Sequence, residues 1–417
     1  MLDRTQAPLF QGLPSFALPA ATTIFTSEGV PIVGLTGVQQ EVLKIDWVFD
    51  AGRWQETTAG ASHFVSLLLD KGTATQPASA IAALLEGMGA HVEISAGADF
   101  FYVSLYALTK NWQQALAIVS EILSQPAFAE AELALQKKIT LENIRVNQEK
   151  TSYLAGQAIR AALFGSVHPY GTSLETADVQ RLQRSDLHEF HQQHFRLIKV
   201  FAAVPDVNYL DALARTVQRV QTSKTAPGVK HQAQPGVREQ HISKEGSVQN
   251  SIRLGKRTIG RTHADYAALL LVNHLLGGFF GSRLMKNIRE EKGLTYGIHS
   301  GLQPYLHDCS WVISADVNKA NRDIAFAEIR SEMQRLCEEL VSLAELDVCK
   351  NHFLGSLVAD VATPFSVMEK VRTVQLSGLA ANHYEKLFSE IQAITPEQFK
   401  NCANRYLSGD WHQVSVG

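Results

Sequence analysis

Cysteine is scarce: four in 417 residues, Cys309, Cys337, Cys349 and Cys402, all in the C-terminal half and none at C-x-x-C spacing. That excludes a disulfide framework and a zinc knuckle, and leaves buried or idle thiols. A basic excess is missing too, with 38 Lys and Arg against 41 Asp and Glu, a formal charge of -3 and a pI near 6.6. Nothing is left over to neutralise a phosphate backbone, so nucleic acid is not an expected partner. No stretch reaches the roughly 18 consecutive apolar residues needed to span a bilayer. The start, MLDRTQAPLFQGLP, has no basic segment followed by an apolar one, so neither membrane insertion nor export is expected. The expected compartment is cytoplasmic, or periplasmic if an export signal has been removed.

What is present is the composition of a folded soluble protein, 45% apolar, 19% charged and 8% aromatic. A chain of 417 residues exceeds one ordinary hydrophobic core and predicts two or three domains. Residues 221–237, QTSKTAPGVKHQAQPGV, have linker composition and divide the chain into 1–220 and 238–417. On both sides the same order of elements follows from periodicity. Leu43, Ile45, Trp47 and Phe49 alternate with Lys44, Asp46 and Val48, which predicts a strand with one buried face. Phe101, Val103 and Leu105 form a second strand, and Asn111 opens a helix carrying Trp112, Ala115, Leu116, Val119 and Ile122. In the second half Trp311, Ile313, Ala315 and Val317 share one strand face, and Asn321 leads into a helix with Ile324, Ile329 and Met333. Long helices follow in each half, at about 129–149 and 151–164, then at 344–361 and 365–379. The expected fold is α+β: two similar half-domains, each a mainly antiparallel sheet packed with helices.

Residues 51–73, AGRWQETTAGASHFVSLLLDKGT, read as a strand exit followed by an apolar helix. The segment resembles the helix on which inverted-motif zinc peptidases carry His-x-x-Glu-His, two imidazoles on one face binding zinc and a Glu activating water. The five positions here are His63, Phe64, Val65, Ser66 and Leu67. An alkyl side chain at Leu67 cannot coordinate a metal, and a hydroxyl at Ser66 is too weak a base to replace a carboxylate. In those peptidases the third ligand is a Glu on a later helix, and ungapped alignment puts Asn143 there, with Glu142 beside it. Even with Glu142, one His and one carboxylate fall short of the three protein ligands of a catalytic zinc. His63 is left as a structural histidine or a residual metal or substrate contact. A second histidine run, His188, Glu189, His191 and His194 in LHEFHQQHF, has three-residue spacing that drifts around a helix and reads as a solvated polar face rather than a metal site.

Together with ALFGSVHPYG at 162–171, FHQQHFRLIKVFAAVPDV at 190–207 and GGFFGSRLMKNIREEKGLTYGIHSG at 277–301, these segments resemble the insulinase and pitrilysin family, which includes the mitochondrial processing peptidase and the bc1 core proteins. The resemblance implies two such chains closing around a peptide chamber, with zinc in the catalytic one. It also implies an Arg and a Tyr, seven residues apart in the opposing C-terminal half-domain, that contact substrate and the developing oxyanion. Arg289 and Tyr296 match that pair. From the residues alone they could equally be an ion-paired helix arginine and a packed strand aromatic. Gly277, Gly278 and Gly281 match a glycine-rich segment credited with substrate handling, though a helix cap and turn would use the same residues. The expectation is a non-catalytic subunit without a cofactor of its own. It would bind peptide and pair with a zinc-bearing homologue, or with itself when isolated. The alternatives are a bc1-core-like assembly protein and a hydrolase with an unrecognised site.

Overall fold

The structure is a computed structural model describing residues 15–217 and 230–417. The opening segment MLDRTQAPLFQGLP and residues 221–229 of the expected linker lie outside the described residues.

The first sheet contains β1 (Thr22–Phe25), β2 (Pro31–Leu35), β3 (Val42–Phe49), β4 (His91–Ala96), β5 (Phe101–Leu108) and β6 (Leu197–Ala203), in the order β1-β2-β6-β3-β5-β4. The second contains β7 (Glu239–Ile242), β8 (Gln249–Arg257), β9 (Thr295–Pro304), β10 (Cys309–Asn318) and β11 (His412–Val416), in the order β7-β11-β8-β10-β9. Apart from the extra β1, the orders correspond strand for strand. Each has one parallel pair, β2 with β6 and β7 with β11, beside an antiparallel run. The α+β class and the two similar half-domains are therefore as expected.

The helices repeat in the same way. The first half contains α1 (Ala61–Leu68), α2 (Trp112–Ser124), α3 (Glu130–Gln148), α4 (Thr151–Phe164) and α5 (Arg184–His194). Leu43, Ile45, Trp47 and Phe49 of β3 bury their apolar face against Phe64, Val65 and Leu68 of α1 and Leu116, Val119 and Ile122 of α2. In the second half are α6 (Tyr266–Asn273), α7 (Arg322–Glu338), α8 (Leu343–Ala359) and α9 (Pro364–Leu376). Here Trp311, Ile313 and Ala315 of β10 pack with Leu269 of α6 and Ile329 and Met333 of α7. Ile324, expected on that face, is instead exposed, and Ala325 and Phe326 take the buried side. Cys309, Cys349 and Cys402 are buried and Cys337 half-buried, all as free thiols.

One expectation fails at β3, which is buried on both faces: Lys44, Asp46 and Val48 are as enclosed as their neighbours. The cause is an exchange of helices. α9, from the C-terminal half, lies across the second face of the N-terminal sheet, its Val367, Met368 and Val371 against Val33, Val48 and Phe201. α4, from the N-terminal half, covers the second face of the other sheet, packing on β8 and β11 through Ile159 and Leu163. A side chain on Gly255 of β8 would start only 3.0 Å from Ile159 Cγ1, so at this crossing anything larger than glycine makes Ile159 and Leu163 give way. Of the expected linker, residues 230–237 run along the end of α4, where Gln234 and Gly236 donate backbone hydrogen bonds to Phe164 and Ala162.

Candidate functional site

After β3 the chain makes a short 3-10 turn, Arg53–Gln55, tied to the β4–β5 turn by Arg53 N to Gly97 O at 3.0 Å and Trp54 N to Ala98 O at 2.8 Å. α1 then begins, its N-terminus closed by Glu56. One Glu56 carboxylate oxygen accepts from Ser62 N at 2.8 Å and Ser62 Oγ at 2.5 Å, and the other from Gly60 N at 3.2 Å. A carboxylate at a helix N-terminus complements the dipole. Burial nevertheless raises the Glu56 pKa above its ordinary value, against these hydrogen bonds and the nearby Arg53. Sequence reasoning missed Glu56, although an acid placed just before a helix is a readable signal.

α1 and α3 enclose a cavity of about 370 Å³. His63, Leu67 and Asn143 line it together, so the fold gathers three of the former motif positions. Ser66 is not among the lining residues, and its Oγ donates to the His63 carbonyl at 2.6 Å. Glu142 does not line the cavity either, and pairs with Arg145 at 3.5 Å on the exposed side of α3. A one-residue gap therefore brings no carboxylate to the site. His63 stands at the rim, where crowding and the charge of Arg53 hold its pKa below the ordinary imidazole value. This donor set, one imidazole with an amide and an alkyl group, does not fit zinc. Among the described residues no three His, Cys, Asp or Glu side chains converge anywhere as a metal site.

The second histidine run is not a solvated face. His194 is buried, and His191 Nε2 lies 2.9 Å from the Leu123 carbonyl, its ring against Phe195. Burial pushes the His191 pKa down to about 4, against the Leu123 hydrogen bond. α5 packs here on α1 and on Phe128, which periodicity within α5 alone could not reveal.

In the C-terminal half two π-helical turns follow α6, His274–Gly278 and Met285–Glu291, a geometry often found at functional sites. Gly277, Gly278 and Gly281 all have negative φ, so the left-handed cap is not their role. Gly277 lies where a Cβ would come within 2.7 Å of Ser300 on β9, and one on Gly278 would come within 2.8 Å of the His274 ring. The glycine-rich segment is thus packed down on the edge strand, leaving Phe280 projecting.

Arg289, on the second π-turn, lies over the Phe280 ring at 4.7 Å and forms no ion pair with any described residue. Several side chains around it are engaged: Arg283 with Glu345 at 2.9 Å, Lys292 with Glu328, and Asn287 with Glu332 at 2.8 Å. Tyr296, at the start of β9, is 93% exposed and packs against no other ring among the described residues. The ion-paired arginine and the packed aromatic, the two structural alternatives, are both absent among the described residues.

Two family profiles match the chain: "Insulinase (Peptidase family M16)" over residues 39–177 and "Peptidase M16 inactive domain" over 181–353. An uncharacterised zinc protease of Mycobacterium leprae is 26% identical over 377 residues, covering 87% of this chain and 83% of the relative. A non-peptidase homologue, YmxG of Helicobacter pylori, is 22% identical over 82% of this chain and 80% of its own. The crystal structure of a peptidase M16 inactive domain from Pseudomonas fluorescens superposes with a TM-score of 0.86 at 26% identity, covering 95% of this chain and 97% of that one. The chain belongs to the insulinase family of peptidases, peptidase family M16, and resembles its non-peptidase homologues.

Proposed function

We propose that this chain is the non-catalytic partner subunit of a zinc metallopeptidase. It binds peptide, and it supplies Arg289 and Tyr296 to the active site of a homologue with an intact His-x-x-Glu-His motif. The observation that carries the reading is the state of that pair. The tyrosine is 93% exposed on an edge strand with no ring among the described residues packed on it, and the arginine has no carboxylate partner among them and rests only on the exposed Phe280 ring. A guanidinium fork and a phenol are suited to a peptide carbonyl and to the oxyanion that develops from it. The zinc-motif positions support the same division of labour, since Ser66, Leu67 and Asn143 provide neither a water-activating base nor a ligand set. Gly277, Gly278 and Gly281 flank Phe279 and Phe280 in the chain, and Phe280 stands beside Arg289 where peptide would pass.

The test is steady-state kinetics of the chain reconstituted with its catalytic homologue. Adding this chain raises peptide cleavage, and Arg289→Ala lowers kcat by about a hundredfold, or about 3 kcal/mol, while sizing shows the heterodimer intact. Tyr296→Phe shares the defect. If both variants leave kcat and KM unchanged in an intact complex, the pair is structural and the assembly role replaces this reading.

A further inference from the structure

The cavity between α1 and α3 contains an electrostatic anomaly unrelated to zinc. Arg53 lines it half-buried, with Nε enclosed and without a hydrogen-bond partner, and its side chain forms no ion pair with any described residue. A buried guanidinium donor left unsatisfied has lost its hydration with nothing in return. Close behind it Arg160 is also without a carboxylate, and donates only to Ser173 Oγ at 3.3 Å, on the cavity wall. The Arg160 pKa is lowered by burial and further by the charge of Arg53, with Tyr305 and Tyr153 opposing. Glu56, on the same cavity wall, attracts Arg53 through space but forms no ion pair with it, its oxygens being held by Ser62 and Gly60 at the start of α1. A guanidinium that lines the cavity without an ion pair, and a second one behind it bonded only to a wall hydroxyl, describe a site that can take an anion.

The other walls narrow the class of anion. Thr140, Asn143 and Tyr153 add neutral hydrogen-bonding groups, and Leu67, Ile139, Ile144 and Leu174 form an aliphatic surface. A phosphate would leave that surface uncovered. We infer that the cavity binds a carboxylate joined to a branched aliphatic group, the C-terminal residue of a peptide ending in leucine or a similar side chain, with the carboxylate on Arg53 and the side chain on the aliphatic wall. The choice of a peptide end rests on the peptide-binding reading above. The carboxylate itself does not, since a free branched carboxylic acid has the same chemistry.

The experiment is calorimetric titration of the isolated full chain, which needs no catalytic partner and so can fail or succeed independently of the proposed subunit role. The probes are N-acetyl-alanyl-leucine, its C-terminal amide, and 4-methylpentanoate. The free acid binds at least about tenfold more tightly than the amide. Arg53→Gln removes that preference, Arg53→Lys keeps part of it, and Arg145→Gln, a charge change on the exposed side of α3, leaves it intact. Tighter binding of the dipeptide than of 4-methylpentanoate assigns the peptide end, and equal binding assigns the free acid. Equal affinity for acid and amide, no binding of either acid, or an unchanged preference in Arg53→Gln overturns the inference. The comparison of acid with amide on the unsubstituted chain stands even if a variant misfolds.

Discussion

The two sheets are covered on their second faces by equivalent helices from opposite halves, yet the two seals have different chemistry. Between α9 and the N-terminal sheet, apolar packing is joined by buried ion pairs: Lys44 Nζ lies 2.9 Å from Glu369, and Arg372 donates to Asp46 Oδ2 at 2.5 Å, with Lys44 and Asp46 almost fully enclosed. Burial disfavours the Lys44 charge, but Asp46 and Glu369 outweigh it and hold the pKa above the ordinary lysine value, so the ammonium is retained. Between α4 and the C-terminal sheet the contact is close and mostly apolar, with Gly255 under Ile159 and Leu163, and a hydroxyl link from Ser251 to Thr151 at 2.9 Å. A duplicated architecture therefore fixes which surfaces meet without fixing what holds them. The ionic seal is vulnerable to loss of one partner, and the apolar seal to added volume.

The largest effect is expected at the ionic seal. Asp46→Ala leaves the part-buried Arg372 without its carboxylate and Lys44 with Glu369 alone, and lowers stability by about 3 kcal/mol, whereas replacing Lys44, Asp46 and Arg372 together by Met, Leu and Met costs far less. Urea denaturation of the single and triple variants measures both, and a single variant within about 1 kcal/mol of the parent removes the distinction between the seals. Next comes the apolar seal, where Gly255→Val overpacks the crossing by about 2 kcal/mol and Ile159→Ala in the same chain recovers part of it. If the double variant is merely additive, the crossing is not tight at Gly255.

A smaller, graded effect compares the halves by acid. His191 in the first half is pushed down to about 4 by burial, against its Leu123 hydrogen bond, and His274 in the second to about 4 by burial and by the neighbouring His352. Both are neutral in the fold, while in the unfolded chain they take up protons below about 6.5. The unfolded state then binds more protons, so this contribution is complete above about pH 6.5 and is lost as pH falls towards 4. Each imidazole contributes about 1.4 kcal/mol per pH unit in that window. His191→Gln and His274→Gln should each reduce the slope of unfolding free energy against pH between about 6 and 4.5. Unchanged slopes in both would mean that these rings titrate in the folded protein as they do when unfolded.

The sequence by itself determined the local and repeated features. Alternation at Leu43 to Phe49 and at Trp311 to Val317 specified the core faces, and the order of strands and helices on either side of the linker specified a duplicated α+β fold. The side-chain types at Ser66, Leu67 and Asn143 settled what that helix cannot coordinate. Only the tertiary structure decided what covers the second faces. Lys44 and Asp46 have the alternation of a solvent-facing row, and their partners Glu369 and Arg372 stand 325 and 326 residues further along the chain. The same holds for His191 and His194, which look solvated until α5 packs on α1, and for Arg53, whose unpartnered Nε becomes apparent only when α3 and the turn before α1 close the cavity. Periodicity reports which face of an element is apolar, because that depends on bonds a few residues long. Burial of a polar face depends on which distant element arrives there, and that is decided by packing among all of them at once.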